Sequence, residues 1–177
     1  MKMILKCLFV LVFWGMVLGI HPESNGQTKG SPPVVHLAWA QDKIRQGNDW
    51  RIYISATDPD GDMLRIFCRI DQPGGNTYRP DIIQIKKGLE GHLDGYLVLR
   101  TYSQQDLSQV SLTLTLIIAD GAGNESRPVT FPLTINGEKM RTPPADQAPP
   151  NVEKLLSQRL GYIGIDLERR ERKAGGL

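Results

Sequence analysis

Three aspartates occupy alternate positions in one short segment of the chain, Asp58-Pro59-Asp60-Gly61-Asp62. Carboxylate oxygens are ligands that Ca²⁺ prefers in proteins, where it takes ~6–8 oxygens at ~2.3–2.6 Å. A turn that brings these carboxylates together could therefore hold one hard cation. The pattern is not that of an EF-hand, because the distant bidentate glutamate and the flanking helices are missing.

The same segment also has an explanation without a metal. Pro59 presets φ, Gly61 supplies a positive φ, and aspartate side chains accept hydrogen bonds from local N–H groups, so the segment also reads as a tight turn. A second turn, Asp120 to Glu125, carries further oxygen donors. If the two turns meet at one end of the fold, we expect a Ca²⁺ site there, with these ligands: Asp58, Asp60, Asp62, Asp120 and Asn124.

The cysteine, the histidines and the remaining acidic residues do not indicate a catalytic or transition-metal site, and no catalytic residue is predicted. Cys68 falls on the apolar side of a strand pattern, which favours a buried, inert thiol. The histidines are His21, His36 and His92, and no two have a spacing suited to a transition metal, so surface positions are expected. Glu90 and Asp94 could in principle serve glycoside hydrolysis, but nothing in their Gly-rich loop raises one pKa, so a small hydrolase is a minor alternative.

The elements that must position these residues are strands. Seven runs alternate apolar and polar side chains, and turn signals such as Asp94-Gly95 and Asp120-Gly121 separate them. The runs are centred on Val35–Trp39, Trp50–Ala56, Leu64–Ile70, Ile83–Ile85, Tyr96–Tyr102, Leu112–Ile118 and Val129–Ile135. No helical period of useful length interrupts residues 34–136.

Each of these strands has one apolar face, so two sheets must pack face to face. The sequence therefore predicts an all-β fold, a single immunoglobulin-like antiparallel β-sandwich of about seven strands over residues 32–137. In this register Trp39 and Trp50 face the core, and Pro132 points outward on a strand near an edge. The aromatic residues with outward registers or loop positions are Tyr53, Phe67, Tyr78, Tyr96 and Tyr102.

Two segments carry a resemblance to known modules. Ile54 to Asp62 with the strand after it resembles the B–C hairpin of bacterial extracellular immunoglobulin-like, fibronectin type III-like and cadherin-like domains. Leu116 to Ser126, with its D-x-x-G-N-x-S turn, is similar to their F–G hairpin. The resemblance covers residues 32–137 and implies a spacer, adhesive or accessory domain outside the cytoplasm.

The ends of the chain differ from the middle. Residues 1–19 combine two lysines with a short uncharged apolar run, which is typical of a secretory signal peptide; an uncleaved N-terminal anchor is the alternative, and only then would the chain contact a membrane. Residues 20–31 read as a flexible spacer and residues 138–150 as a Pro-rich linker. Residues 151–177 form a charged tail in which Asn151 could cap a short helix that ends at Gly161. This tail is either partly disordered or a segment that docks on a partner.

Charge and composition narrow the function classes. The chain has 21 Lys and Arg against 19 Asp and Glu, and loss of Lys2 and Lys6 with the signal leaves 19 of each. A neutral chain gives no field for nucleic acid. We therefore predict a periplasmic or extracellular, non-enzymatic binding or structural module that contacts protein or cell-envelope surfaces, with either no cofactor or Ca²⁺. A carbohydrate-binding accessory module is the main alternative.

Overall fold

A computed structural model describes residues 30–73, 78–101, 106–107, 109–136, 152, 157–165 and 167. This part of the chain contains nine β-strands. They are β1 Val34–Ala40, β2 Lys43–Arg45, β3 Asp49–Thr57, β4 Met63–Asp71, β5 Asp81–Gln84, β6 His92–Arg100, β7 Val110–Asp120, β8 Val129–Asn136 and β9 Arg159–Ile163.

The strands form two sheets with the order expected of an immunoglobulin-like sandwich. One sheet has four strands in the order β1-β3-β6-β9, and the other has five in the order β2-β8-β7-β4-β5. The all-β sandwich predicted from the sequence is therefore confirmed. β7 and β8 form the expected hairpin, whereas β3 and β4 lie in different sheets, so the turn after Thr57 is a crossover between sheets and not a hairpin.

The core lies between the two sheets and follows the period of two in the sequence. On β7 the side chains of Leu112, Leu114, Leu116 and Ile118 are buried, while Ser111, Thr113 and Thr115 point outward. Trp50 on β3 and Cys68 on β4 are fully buried in the same core. Because alternate side chains of a strand leave on opposite faces, one apolar face per strand is enough to build this core.

The predicted inward position of Trp39 is wrong, because a bulge shifts β1. Val35 pairs with Ala56 and Leu37 pairs with Ser55, so His36 is an extra residue in the strand. An extra residue reverses the faces of the side chains that follow it. Ala38 and Ala40 consequently pack on the core, and Trp39 lies on the outer face of the four-stranded sheet.

Two further details of strand pairing concern Leu64 and Pro132. The sequence predicts Leu64 on the inner face together with the buried Ile66, two residues further on. An irregularity in the pairing between Met63 and Arg65 leaves Leu64 exposed instead. Pro132 on β8 is exposed, as predicted. β8 is an edge strand only in its first part, because β2 pairs with it in parallel from Thr134 onward. Pro132 lies just before that pairing begins, where its missing N–H costs no ladder bond.

The tail prediction needs the largest correction. Leu160 and Gly161, expected at the end of a short helix, lie in β9, which joins the four-stranded sheet in parallel beside β6. Leu160, Ile163, Ile165 and Leu167 are buried in the core. Gly95 permits this approach, because a Cβ there would lie 2.3 Å from the carbonyl oxygen of Gln158. Part of the tail thus completes the sandwich itself.

The remaining boundary predictions lie mostly outside the described residues. The signal segment 1–19, the linker 138–150 and nearly all of the spacer 20–31 are in this group. Within the described ranges, no helix has the length and apolar character needed to cross a membrane.

Candidate metal centre

Asp58 organises the turn between β3 and β4. Its carbonyl oxygen accepts the N–H of Gly61, whose φ is +73°, and its carboxylate oxygens accept the N–H groups of Asp60 and Asp62, each at 3.2 Å. Asp58 is 5% exposed. The turn chemistry predicted for this segment is therefore present, and it fixes the Asp58 carboxylate at the end of the sandwich.

Asp120 organises the turn between β7 and β8 in the same manner. Its Oδ1 accepts the N–H of Asn124 at 2.7 Å and its Oδ2 accepts the Asn124 side-chain amide at 2.6 Å. The Ser126 hydroxyl accepts the N–H of Ile118 at 3.0 Å and closes the turn. Asp120 is 2% exposed, so the turn holds a second buried carboxylate.

The two turns meet, and three carboxylates converge. Gly121 donates its N–H to the carbonyl oxygen of Asp62 at 2.9 Å, which joins one loop to the other. One carboxylate oxygen from each of Asp58, Asp62 and Asp120 lies within 4.8 Å of the other two. These are oxygens from three side chains, spaced as ligands of one cation would be.

The electrostatics at Asp62 are unfavourable for its charged form. Burial raises the pKa of Asp62, and its hydrogen bond with Asp58 and the negative charges of Asp120, Asp58 and Asp60 raise it further. Its Oδ1 is buried and has no hydrogen-bond partner among the residues that the structure describes. A cation beside Asp62 would lower its pKa again, because an opposite charge favours the ionised carboxylate. It would also give the unpartnered Oδ1 a ligand bond.

The structure does not bring all five predicted ligands together. Asp60 is exposed, accepts the N–H of Ser31 at 2.5 Å, and is not one of the three carboxylates that lie within 4.8 Å of one another. Asn124 is buried and uses its amide to hold Asp120. Asn124-Glu125-Ser126 matches the N-x-S pattern of a glycan acceptor, but the burial of Asn124 argues against its use, since acceptor sites lie in exposed loops.

The donor set fits a hard cation. Asp58 and Asp120 each use one lone pair per oxygen in the turns, and a carboxylate oxygen has a second pair to offer. Asp62 Oδ1 accepts no hydrogen bond from any described residue, so both of its lone pairs are available. Three carboxylates supply three to six oxygens, and water or carbonyl groups would complete the ~6–8 that Ca²⁺ takes.

The other candidates have structural partners. Burial, with a smaller effect of Asp81, raises the pKa of Cys68 to about 12. His92 and Asp94 form an exposed pair at 2.7 Å, and Glu90 accepts the N–H of Gly88 at 2.5 Å. His36 is exposed and contacts Thr57, and His21 lies outside the described residues.

A second feature is the outer face of the four-stranded sheet, which we call the aromatic face. Trp39, Tyr53 and Tyr96 occupy one register position on three adjacent strands, with ring centroids 5.7 and 5.6 Å apart. Arg51 lies 5.3 Å from the Tyr96 centroid. Val152 packs against Tyr53, which is 2% exposed, so the chain itself covers the middle of this row.

Two open regions flank that row. On the β1 side is a groove of about 400 Å³, lined by Trp39, Gln41, Asn48, Asp49, Arg51 and Tyr53. On the β9 side is a cluster that we call the Tyr162 patch: Tyr162, 41% exposed, with the guanidinium carbons of Arg100 and Arg159 each 4.6 Å from its ring centroid. The sequence did not predict either region, because the bulge in β1 and the strand β9 create them.

Comparison with known proteins adds no functional assignment. No family model matches the chain, and a search of curated proteins finds no match. Among solved structures, the PKD domain of an M14-like peptidase from a Thermoplasmatales archaeon is 17% identical over 60% of this chain and 98% of that chain, with a TM-score of 0.39. A mutant of the SrpA adhesin from Streptococcus sanguinis is 19% identical over 60% of this chain and 56% of that chain, with a TM-score of 0.36. Scores this low support no statement about function.

Proposed function

We propose that this protein is an exported, non-enzymatic immunoglobulin-like binding module whose loop end is stabilised by Ca²⁺. One observation carries the metal part of the proposal: the carboxylates of Asp58, Asp62 and Asp120 converge from two loops to within 4.8 Å. Export is supported by the signal-like segment 1–19.

The calcium would act as a structural ion. The carboxylates of Asp58 and Asp120 are held by backbone N–H groups and by Asn124 before any cation arrives, which lowers the ordering cost of binding. Bound Ca²⁺ would cancel the mutual repulsion of the carboxylates and tie the β3–β4 turn to the β7–β8 turn. Either effect stabilises only the folded state.

The aromatic face is the surface that best supports binding. Tyrosine, tryptophan and arginine are the residues that most often carry the binding energy of protein interfaces. This face has them in adjacent rows, whereas the outer face of β7 and β8 carries mainly Ser and Thr, such as Thr113, Thr115 and Thr130. The metal end and the groove lie at opposite ends of β3, so the ion would stabilise the module without touching the groove.

Thermal unfolding tests the metal proposal. A ligand at a hundred times its Kd stabilises by ~2.7 kcal/mol, which at ~4 °C per kcal/mol for a domain of this size corresponds to a rise in Tm of ~11 °C. We expect Ca²⁺ to raise the Tm relative to chelator, and Asp62→Asn to abolish the rise without lowering the Tm in chelator. Asp71→Asn, an exposed aspartate paired with Arg69, is the matched control and should keep the full response.

Two results would contradict the metal proposal. One is a Tm that does not respond to Ca²⁺ in the unaltered protein. The other is an equal response in the Asp62→Asn variant, which would place the effect elsewhere on the surface.

A carbohydrate-binding role is the second candidate, and the groove beside Trp39 is the observation that favours it. A sugar ring offers an apolar C–H face to an indole and hydroxyl groups to the planar polar side chains of Gln41, Asn48 and Asp49. A glycan array with the unaltered protein, Trp39→Ala and the control Phe67→Ala would test it. Absence of binders would exclude this role, and equal binding by Trp39→Ala would exclude the groove as its site.

A further inference from the structure

We propose that the Tyr162 patch binds an acidic polypeptide segment of a partner protein. This inference rests on the proposed binding function and gives the chemistry of the partner. It places the contact on β9, part of the segment that the sequence had suggested as a tail.

The first step is the exposure of Tyr162. Its ring is 41% exposed, although the opposite side chains of the same strand, Leu160 and Ile163, are buried in the core. Its backbone is fixed in register with Val98 of β6. An aromatic ring held at a sheet surface contributes contact area at little cost in conformational entropy.

The second step is the pair of guanidinium groups. Arg100 and Arg159 both contact the ring of Tyr162, and Arg159 also donates to the Tyr162 hydroxyl. Neither arginine forms an ion pair with a described carboxylate. A guanidinium has five N–H donors in a planar fork that matches a carboxylate, so stacking on Tyr162 orients donors that a carboxylate ligand could take up.

The third step is the local charge balance. Lys86 donates to the carbonyl oxygen of Arg159 at 3.4 Å and adds a third positive charge. The carboxylate of Asp81, at the end of β9, accepts the N–H groups of Ile82 and Gly164. Asp49 is paired in register with Arg100 but forms no salt bridge with it. Among the described residues, three cations therefore stand against the carboxylates of Asp49 and Asp81, so the patch has a net positive charge on a chain whose charges nearly cancel.

The size of the charge cluster selects the class of partner. Nucleic acids are bound by broad basic surfaces that neutralise several phosphates, and three cations beside one exposed tyrosine are too few. Edge position favours a polypeptide, because β9 is the outermost strand of its sheet. An acidic segment running beside β9 would bring its carboxylates to Arg100 and Arg159.

Fluorescence anisotropy with a labelled glutamate-rich peptide, and a matched glutamine-rich peptide, tests this inference. We expect binding of the glutamate peptide only, weakened by salt and reduced about tenfold or more by Arg100→Ala with Arg159→Ala. Arg45→Ala with Arg127→Ala, which removes two exposed arginines outside the patch, is the matched control and should bind normally. Unchanged Tm values would show that all variants fold.

Several results would overturn the acidic-partner inference. They are absence of peptide binding, equal binding of the glutamine peptide, equal binding by the Arg100→Ala/Arg159→Ala variant, and preferential binding of phosphatidylglycerol vesicles over the peptide. The Ca²⁺ melting experiment has a separate readout, so failure of this inference and failure of the metal proposal are distinguishable.

Discussion

Gly121 donates its backbone N–H to the carbonyl oxygen of Asp62 at 2.9 Å, and this bond connects the two loops that hold the carboxylate cluster. A Cβ at Gly121 would lie 3.1 Å from Asp62 Oδ2, so the loops are in close contact. The relative position of the two loops is therefore set by a backbone contact, and a cation would find them already joined.

The raised pKa of Asp62 predicts a pH dependence of stability in the absence of Ca²⁺. A carboxyl whose pKa is higher in the folded state than its ordinary value of 3.8 binds its proton more tightly when folded. Its stabilising contribution is complete below that ordinary pKa and is lost as pH rises through the raised value. In chelator, we therefore expect the unaltered protein to lose stability relative to Asp62→Asn as the pH rises. The difference in Tm between the variant and the unaltered protein should grow from the ordinary pKa of 3.8 up through the raised pKa.

Calcium should reverse this dependence. Protons and Ca²⁺ compete for the same carboxylate, so the Tm gained by adding Ca²⁺ should shrink as pH falls through the raised pKa of Asp62. Asp71→Asn should follow the unaltered protein at every pH. A Ca²⁺ response that does not change with pH would speak against Asp62 as a ligand.

Replacement of Gly95 should loosen β9. In Gly95→Ala the new Cβ would meet the Gln158 carbonyl oxygen at 2.3 Å and the Leu160 side chain at 2.8 Å. Overpacking of this kind typically costs ~1–3 kcal/mol, which urea unfolding would measure. Gly164→Ala is the control, since its nearest contact is an ordinary 3.5 Å, and a similar loss there would contradict the explanation.

The two tryptophans of the sandwich should differ in their contribution to stability. Trp50 is fully buried and donates to the Gln41 carbonyl oxygen at 2.7 Å. Trp50→Ala should cost ~3–5 kcal/mol of unfolding free energy, as for other large core deletions. Trp39→Ala removes a partly exposed ring and should cost about 1–2 kcal/mol. Equal costs in urea unfolding would mean that Trp39 belongs to the core after all.

Cys68 should be unreactive in the folded protein. With a pKa of about 12, its thiolate fraction at pH 8 is on the order of 10⁻⁴, and the thiol is buried as well. A chain lacking residues 1–19, and hence Cys7, should show negligible reaction with a disulfide reagent until urea is added. Rapid reaction in native buffer would indicate an accessible thiol.

The fold could be predicted because most strands alternate cleanly. Leu112 to Ile118 has a strict period of two, and β7 indeed has that inner face. The face of Trp39 could not be predicted, since the single extra residue His36 leaves the alternation of β1 intact in the sequence while reversing it in space. Strand β9 was missed because it is short, contains Gly161, and pairs with a distant strand.

The carboxylate cluster could be predicted in part. Turn residues in Asp58 to Asp62 and Asp120 to Asn124, placed at one end of a sandwich, indicate where acidic side chains meet. Which of them face one another depends on individual hydrogen bonds. Asp60 bonds to Ser31, 29 residues away, and this contact has no signal in local sequence, whereas Asn124 bonds to Asp120 within one turn motif.

The parallel pairing of β6 with β9 has a consequence for folding kinetics. Tyr96 and Arg159 are register partners, so the contact closes a loop of about 60 residues, and contacts this distant in sequence form slowly. Until β9 arrives, β6 presents an open edge beside an incompletely covered core. Such an edge is a template for pairing with another chain. The interval before β9 docks is therefore when nascent copies are most prone to aggregate, and chaperones would have most effect then.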